Sequence, residues 1–444
     1  MLALSACAAP NISPPPQARV QPPAAWRTEA GQVAPIAPDW WRGLGDVELD
    51  RLVERALANS PDLGIAAARV REARAQERLS RAQLFPTLDL NATAAHARSL
   101  NPFGAPVEGS TAQPVFQAAY ELDLFGRVAT QVRAARLSAE ASEAARDAVR
   151  LSVASAVASG YVTLRALDAR LAVVRETAAA RAEALRIARD RASVGYTSQL
   201  ELRQAESEYR AATQIVPQAQ LAITRQENAL SLLLGEAPRG IARGLVLTAL
   251  HRPGVPEGLP SDLLRRRPDI AQAERALAAS DASLAAARAQ FLPQVRLTAS
   301  AGAIASSALG DPVTIWSLGS SILAPLFEGG RLRAGVEGAA ARRDQAAFGY
   351  QRTVLTAFRE VEDNLAASQR IAEQRVELER QRTALADALR HATNRYQAGY
   401  SPYLDQLDAQ RNLLAAELTL IQLEADQLNA MIALHQAMGG GWIP

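Results

Sequence analysis

The chain has 444 residues and no lysine: all 48 basic side chains are arginine, set against 46 acids for a net charge of +2. So even a balance excludes the basic footprint of a nucleic-acid binder. Arginine interleaved with glutamate and aspartate is the pattern of solvated helix faces. One cysteine, Cys7, leaves no partner for an internal disulfide. Aromatics are only 5% of the chain, so alanine-rich helices packed through small side chains are the expected core. No apolar run approaches 18 residues, which excludes a transmembrane helix; any membrane role has to be built from strands. His96, His251, His391 and His435 are scattered without metal-ligand spacing. Neither a phosphate-binding glycine loop nor a nucleophile elbow occurs. The chain reads as no enzyme, with no cofactor and no metal. Met1, Met431 and Met438 are too few to relay copper.

What the sequence does contain is a duplication. "NSPDLGIAAARVREARAQERLSRAQLFPTLDL" (Asn59–Leu90) aligns with "RRPDIAQAERALAASDASLAAARAQFLPQVRL" (Arg266–Leu297), matching Pro61 to Pro268 and Pro86 to Pro293. Later landmarks match too: Arg127 with Arg331, Gly195 with Gly399, Leu200 with Leu404, Gly235 with Gly439. Two copies of one unit are expected, at 39–240 and 261–440, with a linker at 241–260 and a tail at 441–444.

Each copy opens with a helix that Pro86 or Pro293 stops, after which the apolar period becomes two. Leu88, Leu90, Ala92 and Ala94 alternate with Thr87, Asp89, Asn91 and Thr93. Strands are predicted at about 87–98, 112–124, 294–305 and 313–326, with Gly/Pro/Ser-rich loops at 99–111 and 306–312. Their length suits a tilted bilayer barrel. The apolar faces are continuous while the opposite faces carry ionisable groups, as a wet lumen requires. Phe85, Phe125, Phe291 and Phe327 mark the strand–helix junctions, either as an interfacial girdle or as plain packing.

Proline-free runs follow, Arg127 to Ser193 and Glu328 to Ala398. Val153, Val157, Gly160, Leu164, Leu167, Leu171 and Val174 carry coiled-coil spacing. At 1.5 Å per residue each run extends roughly 100 Å. Gly195 and Gly399 are the predicted hairpin tips, each sending the chain back through another helix. Ser198 with Glu201 reads as a capping box, and Pro402 as the first helical residue after Ser401. At the other end, Cys7 closes "LSAC" and eight prolines lie in residues 8–38. Residues 1–7 read as the remnant of a lipoprotein signal peptide with Cys7 as the lipidated residue, and 8–38 as an extended tether.

The motifs "DWWRGLGDVELDRLVERALANSPDL", "LLRRRPDI", "ARAQFLPQVRL", "LFEGGRLRA" and "RYQAGYSPYLDQLDAQRNLL" resemble those of the TolC-like outer-membrane efflux channels, in the lipoprotein branch that includes OprM and NodT-type proteins. The likeness runs from about Asp39 to Gly440. It implies an α+β membrane protein in which three chains, four strands each, close one 12-stranded outer-membrane barrel above a coiled-coil periplasmic tube. It also implies a homotrimer, outer-membrane lipid around it, a periplasmic adaptor and an inner-membrane pump of the RND type. By position, Leu404 matches an apolar constriction residue, Asp405 and Asp408 match lumen-facing aspartates, and Tyr396 matches a tyrosine of gate-locking contacts. Glu201 falls where some members place an acidic gate partner. Ser401 stands where TolC has an arginine, so an arginine-centred lock is not expected there.

The residues themselves leave a choice. Asp405 and Asp408 share a helix face, and threefold symmetry would gather six carboxylates at one mouth to attract cations. On the sequence alone the preferred reading is that they are ordinary first-turn acids favoured by the helix dipole; the resemblance tips the reading towards a gate. For Glu201 the capping box remains the preferred reading. A rival function, a periplasmic coiled-coil adaptor or scaffold lipoprotein, needs neither two pairs of amphipathic strands nor a duplication in register.

Overall fold

The computed structural model describes residues 12–28, 33–34, 36–256 and 258–443; Cys7 lies outside them. The first repeat runs α1 (Val47–Asn59), α2 (Pro61–Ala82), β1 (Thr87–Leu100), β2 (Pro106–Leu122), α3 (Arg127–Ser193) and α4 (Gln199–Leu233). The second runs α5 (Pro260–Arg266), α6 (Pro268–Ala289), β3 (Gln294–Ser306), β4 (Val313–Leu323), α7 (Arg331–Gln397) and α8 (Tyr403–Ala437). Matching elements have matching lengths: 22 residues for α2 and α6, 67 for α3 and α7, 35 for α4 and α8. Among the described residues no helix is long and apolar enough to cross a membrane.

Two compact units cut across the repeats, each drawing segments from both. One comprises Met1–Val20, Ala68–Ala144 and Ala271–Thr353; the other, Gln21–Ala67, Ala145–Ile270 and Val354–Pro444.

The first unit holds a four-stranded antiparallel sheet in the order β1-β2-β3-β4. The register is unbroken along β1 and β2, from Thr87 opposite Ala119 to Leu100 opposite Pro106. Side-chain parity therefore holds to the strand ends. β2 begins at Pro106 rather than the expected 112, because Asn101 closes the hairpin early. Its Oδ1 accepts from the N–H of Phe103 at 3.0 Å and of Ala105 at 2.9 Å. β2 ends at Leu122 rather than 124, as Asp123 turns away to accept from the N–H groups of Val128 (3.0 Å) and Ala129 (2.7 Å) at the start of α3. β4 ends at Leu323 instead of 326, two residues before Pro325, which has no N–H for a ladder. Of the four junction phenylalanines, Phe85, Phe125 and Phe327 are exposed. Phe291 instead packs on Leu284 and Val336.

In the same unit the tether does not stand free. The Arg343 guanidinium donates to the carbonyl of Ser13 at 3.0 Å, and Gln351 to that of Gln17 at 2.8 Å.

The second unit holds an extended apolar core. It joins Trp40, Trp41 and Leu44, the α1 residues Leu49, Leu52 and Val53, the α3 residues Val153, Val157 and Leu164, and Leu428 and Ile432 of α8. Val153, Val157 and Leu164, read from the sequence as coiled-coil positions, are thus core positions, whereas Leu167 and Leu171 are only half-buried. Gly160 belongs there because Leu230 sits where a side chain would go: a Cβ would lie 2.9 Å from its methyl carbon.

Both repeats use one further device. Ser60 and Arg267 precede prolines and are extended at ψ 128° and 124°, which breaks α1 from α2 and α5 from α6. Against each break lies a glycine past the end of α4 or α8. A Cβ on Gly235 would lie 2.4 Å from the Asn59 carbonyl oxygen, and one on Gly439 1.9 Å from that of Arg266.

Candidate functional site

The predicted tips are where expected. Gly195 and Gly399 follow α3 and α7 at φ +73° and +81°, conformations that glycine adopts without strain. Around them, within the second unit, four helix ends pack a small core of Ala184, Leu185 and Ala188 of α3, Ala205 of α4, Tyr396 of α7, and Tyr403 and Leu407 of α8.

Tyr396 is the centre of this layer. It is only 3% exposed, its ring lies 5.6 Å from that of Tyr403, and the Arg191 guanidinium stands over it at 4.7 Å. Its hydroxyl donates to Glu201 Oε1 at 2.6 Å. Burial first, and the Glu201 carboxylate second, push the Tyr396 hydroxyl well above the ordinary tyrosine range, so it stays a donor.

Glu201 corrects the capping reading. Ser198 does cap α4, accepting from the Glu201 N–H at 3.2 Å. The Glu201 carboxylate, however, does not return to the Ser198 backbone. It takes the hydroxyls of Tyr396 and, at 2.5 Å, Thr197. The other half of the box is replaced by a bond between hairpins.

Pro402 is likewise not the first helical residue. At ψ 159° it is the extended N-cap, and Tyr403 begins α8. The first turns of α8 then have two faces. Tyr403, Gln406 and Leu407 are buried, whereas Leu404 (55% exposed), Asp405 and Asp408 are open on the other side. Asp408 accepts from Asn412 at 3.3 Å, one turn further on.

Sequence reading missed the ionic part of this layer. Glu208 of α4 is buried, ion-paired at 2.9 Å to the equally buried Arg181 of α3 and also paired to Arg411 of α8. Two arginines thus clamp one carboxylate and tie three helices. Tyr403 sits beside it with no partner for its hydroxyl among the described residues. Burial and then the Glu208 charge push its hydroxyl above the ordinary tyrosine pKa range, so it stays protonated. In the sequence these charges look like any others on a helix face. The only available signal was that Arg181, Glu208 and Arg411 fall within about four turns of the two glycines.

Among the described residues no cluster of three or more His, Cys, Asp or Glu side chains is placed to hold a metal. The arrangement is a set of bonds between hairpins beside an exposed strip of one leucine and two aspartates. Such a layer holds helix ends together or lets them part; it arrays no nucleophile with a base.

Comparison with known proteins identifies the architecture. The family model for outer membrane efflux proteins matches residues 52–236 and 259–440, one match per repeat. The chain is 36% identical to the probable efflux pump outer membrane protein TtgC of Pseudomonas putida, over 95% of this chain and 89% of that one. It is 34% identical to the pyoverdine export outer membrane protein OpmQ of the same species, over 99% and 96%. The crystal structure of the Campylobacter jejuni CmeC outer membrane channel superposes with a TM-score of 0.88 at 26% identity, covering 98% of this chain and 95% of that one. The fold class read from the sequence holds, a duplicated α+β membrane protein of long helical hairpins and four strands, and the scaffold reading falls away. The chain belongs to the outer membrane efflux protein family and is the outer-membrane channel component of an efflux system, seated in the outer membrane of a Gram-negative bacterium and reaching into the periplasm.

Proposed function

We propose that the hairpin tips form the periplasmic gate of this channel, with Leu404, Asp405 and Asp408 lining its narrowest point. Three chains close one barrel, four strands from each, and bring three copies of that strip to one mouth. The observation that carries the reading is the division of faces at the start of α8. Tyr403 and Leu407 are locked into the tip core, while the leucine and both aspartates are left uncovered in the single chain. The bond from Tyr396 to Glu201 and the clamp on Glu208 hold that strip in place, and opening requires that at least one of them part.

The duct is passive and catalyses no reaction. It takes cargo from a periplasmic adaptor and an inner-membrane pump of the RND type, and the hairpin turns at 101–105 and 307–312 face the exterior. Cys7 carries the lipid that adds a second hold on the membrane.

Single-channel recording in a planar bilayer tests the gate. Asp405→Asn with Asp408→Asn removes charge at constant size, so cation preference should fall while stability stays close to wild type. Leu404→Ala should raise basal conductance. Wild-type selectivity in the first variant together with wild-type conductance in the second places the gate elsewhere.

A further inference from the structure

We infer that Arg98, on the membrane-facing side of the β1–β2 hairpin, binds a phosphorylated glycolipid headgroup of the outer leaflet. Because the β1–β2 register is unbroken, parity assigns each residue a face. Leu88, Leu90, Ala92 and Ala94 of β1 stand opposite Ala118, Phe116, Pro114 and Ala112 of β2, a continuous apolar surface that must meet lipid. On β2 this surface runs from Leu122 to Ala112. Ten residues at about 3.3 Å make roughly 33 Å of strand, or about 25 Å of height at the usual barrel tilt, the thickness of the apolar band. The band ends there.

The next two cross-strand pairs on the same face are His96 with Ser110 and Arg98 with Glu108. They sit at the rim nearest the hairpin turn and look outwards, not into the lumen. Direct opposition would pair Arg98 with Glu108, but Glu108 is turned aside. Its Oε1 lies 3.0 Å from His96 Nε2, while His96 Nδ1 lies 3.0 Å from the Ser110 hydroxyl. Arg98 is exposed and pairs with no carboxylate among the described residues. An unpaired guanidinium, planar and with five donors, at the level of the outer headgroups and facing them, is complementary to a lipid phosphate. The His96–Ser110–Glu108 chain is what keeps that arginine free.

The inference rests on the membrane orientation given above, and the two fail separately. Gly104→Cys, at the turn of this hairpin, should be labelled on intact cells by an impermeant maleimide; no labelling sinks the orientation whatever the lipid does. For recognition, the full-length protein purified in detergent is incubated with bis-phosphorylated lipid A and the retained lipid is counted by native mass spectrometry. Arg98→Gln should lower retention about tenfold, the loss of one charge-assisted bond pair per chain. Arg296→Gln, on the opposite face of the sheet, should retain wild-type lipid. Glu108→Gln should keep the binding, since the carboxylate is no part of the contact. The assignment is overturned by undiminished binding in Arg98→Gln, or by equal loss in Arg296→Gln. It is also overturned if dephosphorylated lipid A, phosphatidylglycerol vesicles or inorganic phosphate compete as well as lipid A itself.

Discussion

Asp46 is a small carboxylate with a large share of the second unit's order. It caps α1 by accepting from the N–H of Glu48 at 2.8 Å, and it accepts from the Tyr161 hydroxyl at 2.9 Å and the Leu245 N–H at 2.8 Å. The Tyr161 hydroxyl in turn accepts from the Gly244 N–H at 2.8 Å, so α1, α3 and the linker meet at one buried acid. Burial pushes the Tyr161 hydroxyl up to about 12, against the opposing bond from Gly244, so it remains a donor. Asp46→Ala orphans several buried donors at once and should cost about 3 kcal/mol or more, whereas Tyr161→Phe should cost only about 1–2 kcal/mol. Calorimetric melting checks the order of the two; equal costs would contradict it. His435 makes the complementary case. It is buried, stacked on Trp40 with ring centroids 5.5 Å apart, and neither ring nitrogen has a partner among the described residues. Burial lowers it to about 4 from the ordinary 6.5. The folded state therefore favours neutral His435, and that contribution is present above about pH 6.5 and lost as pH falls towards 4. It amounts to about 3 kcal/mol at most. Melting temperatures of His435→Phe should fall less between pH 7 and pH 4.5 than those of wild type; parallel curves would remove His435 from the account.

Helix ends in this chain stop at glycine for two different reasons, and substitution tells them apart. Gly399 has φ +81° and nothing within 4 Å of where a Cβ would stand, so Gly399→Ala pays only the left-handed backbone, about 1–2 kcal/mol. Gly439 has φ +91° and the Arg266 carbonyl oxygen 1.9 Å from that Cβ. Gly439→Ala must also push α8 away from the break before α6, and should be far more damaging to assembled, heat-resistant protein on a gel. Similar losses for both would mean the close approach of glycine to backbone carbonyl is not what holds the repeat together. The pairing of Gly235 with Asn59 is the same device in the first repeat, which is how a duplicated sequence shows itself as a duplicated contact. Most helix bounds were legible because proline and glycine punctuate them. The early start of β2 was not, because the Asn101 turn lies inside a stretch whose Gly, Pro and Ser content reads as loop.

For the molecule as a whole, two attachments to the membrane are expected to be independent. The sheet carries its own apolar face, so the barrel would not need a lipid on the proposed anchor Cys7. Cys7→Ser should abolish fatty-acid labelling and leave barrel assembly intact; undiminished labelling would sink the lipoprotein reading, and loss of trimers would show that the anchor aids assembly. The proposed gate is tested at the same scale. Tyr396→Phe removes one bond between α7 and α4 while keeping the packing on Tyr403, so its melting point should move little and its basal conductance should rise. A silent Tyr396→Phe would assign the hold to the Arg181–Glu208–Arg411 clamp instead.

The sequence by itself determined what depends on local periodicity and on repetition. It specified four strands by their period of two, two very long helices by proline-free runs with coiled-coil spacing, tips by glycine, and two copies by landmarks in register. Each of these is decided among near neighbours in the chain. The tertiary structure alone decided which polar groups meet. Glu201 looks like a cap until Tyr396, 195 positions away, arrives to donate to it. Glu208, Arg181 and Arg411 look like solvated charges until three helices bury them together. Charge and hydrogen-bonding capacity are written in the residue, but their partners come from other helices brought alongside by packing of the apolar faces, and no local pattern encodes that choice.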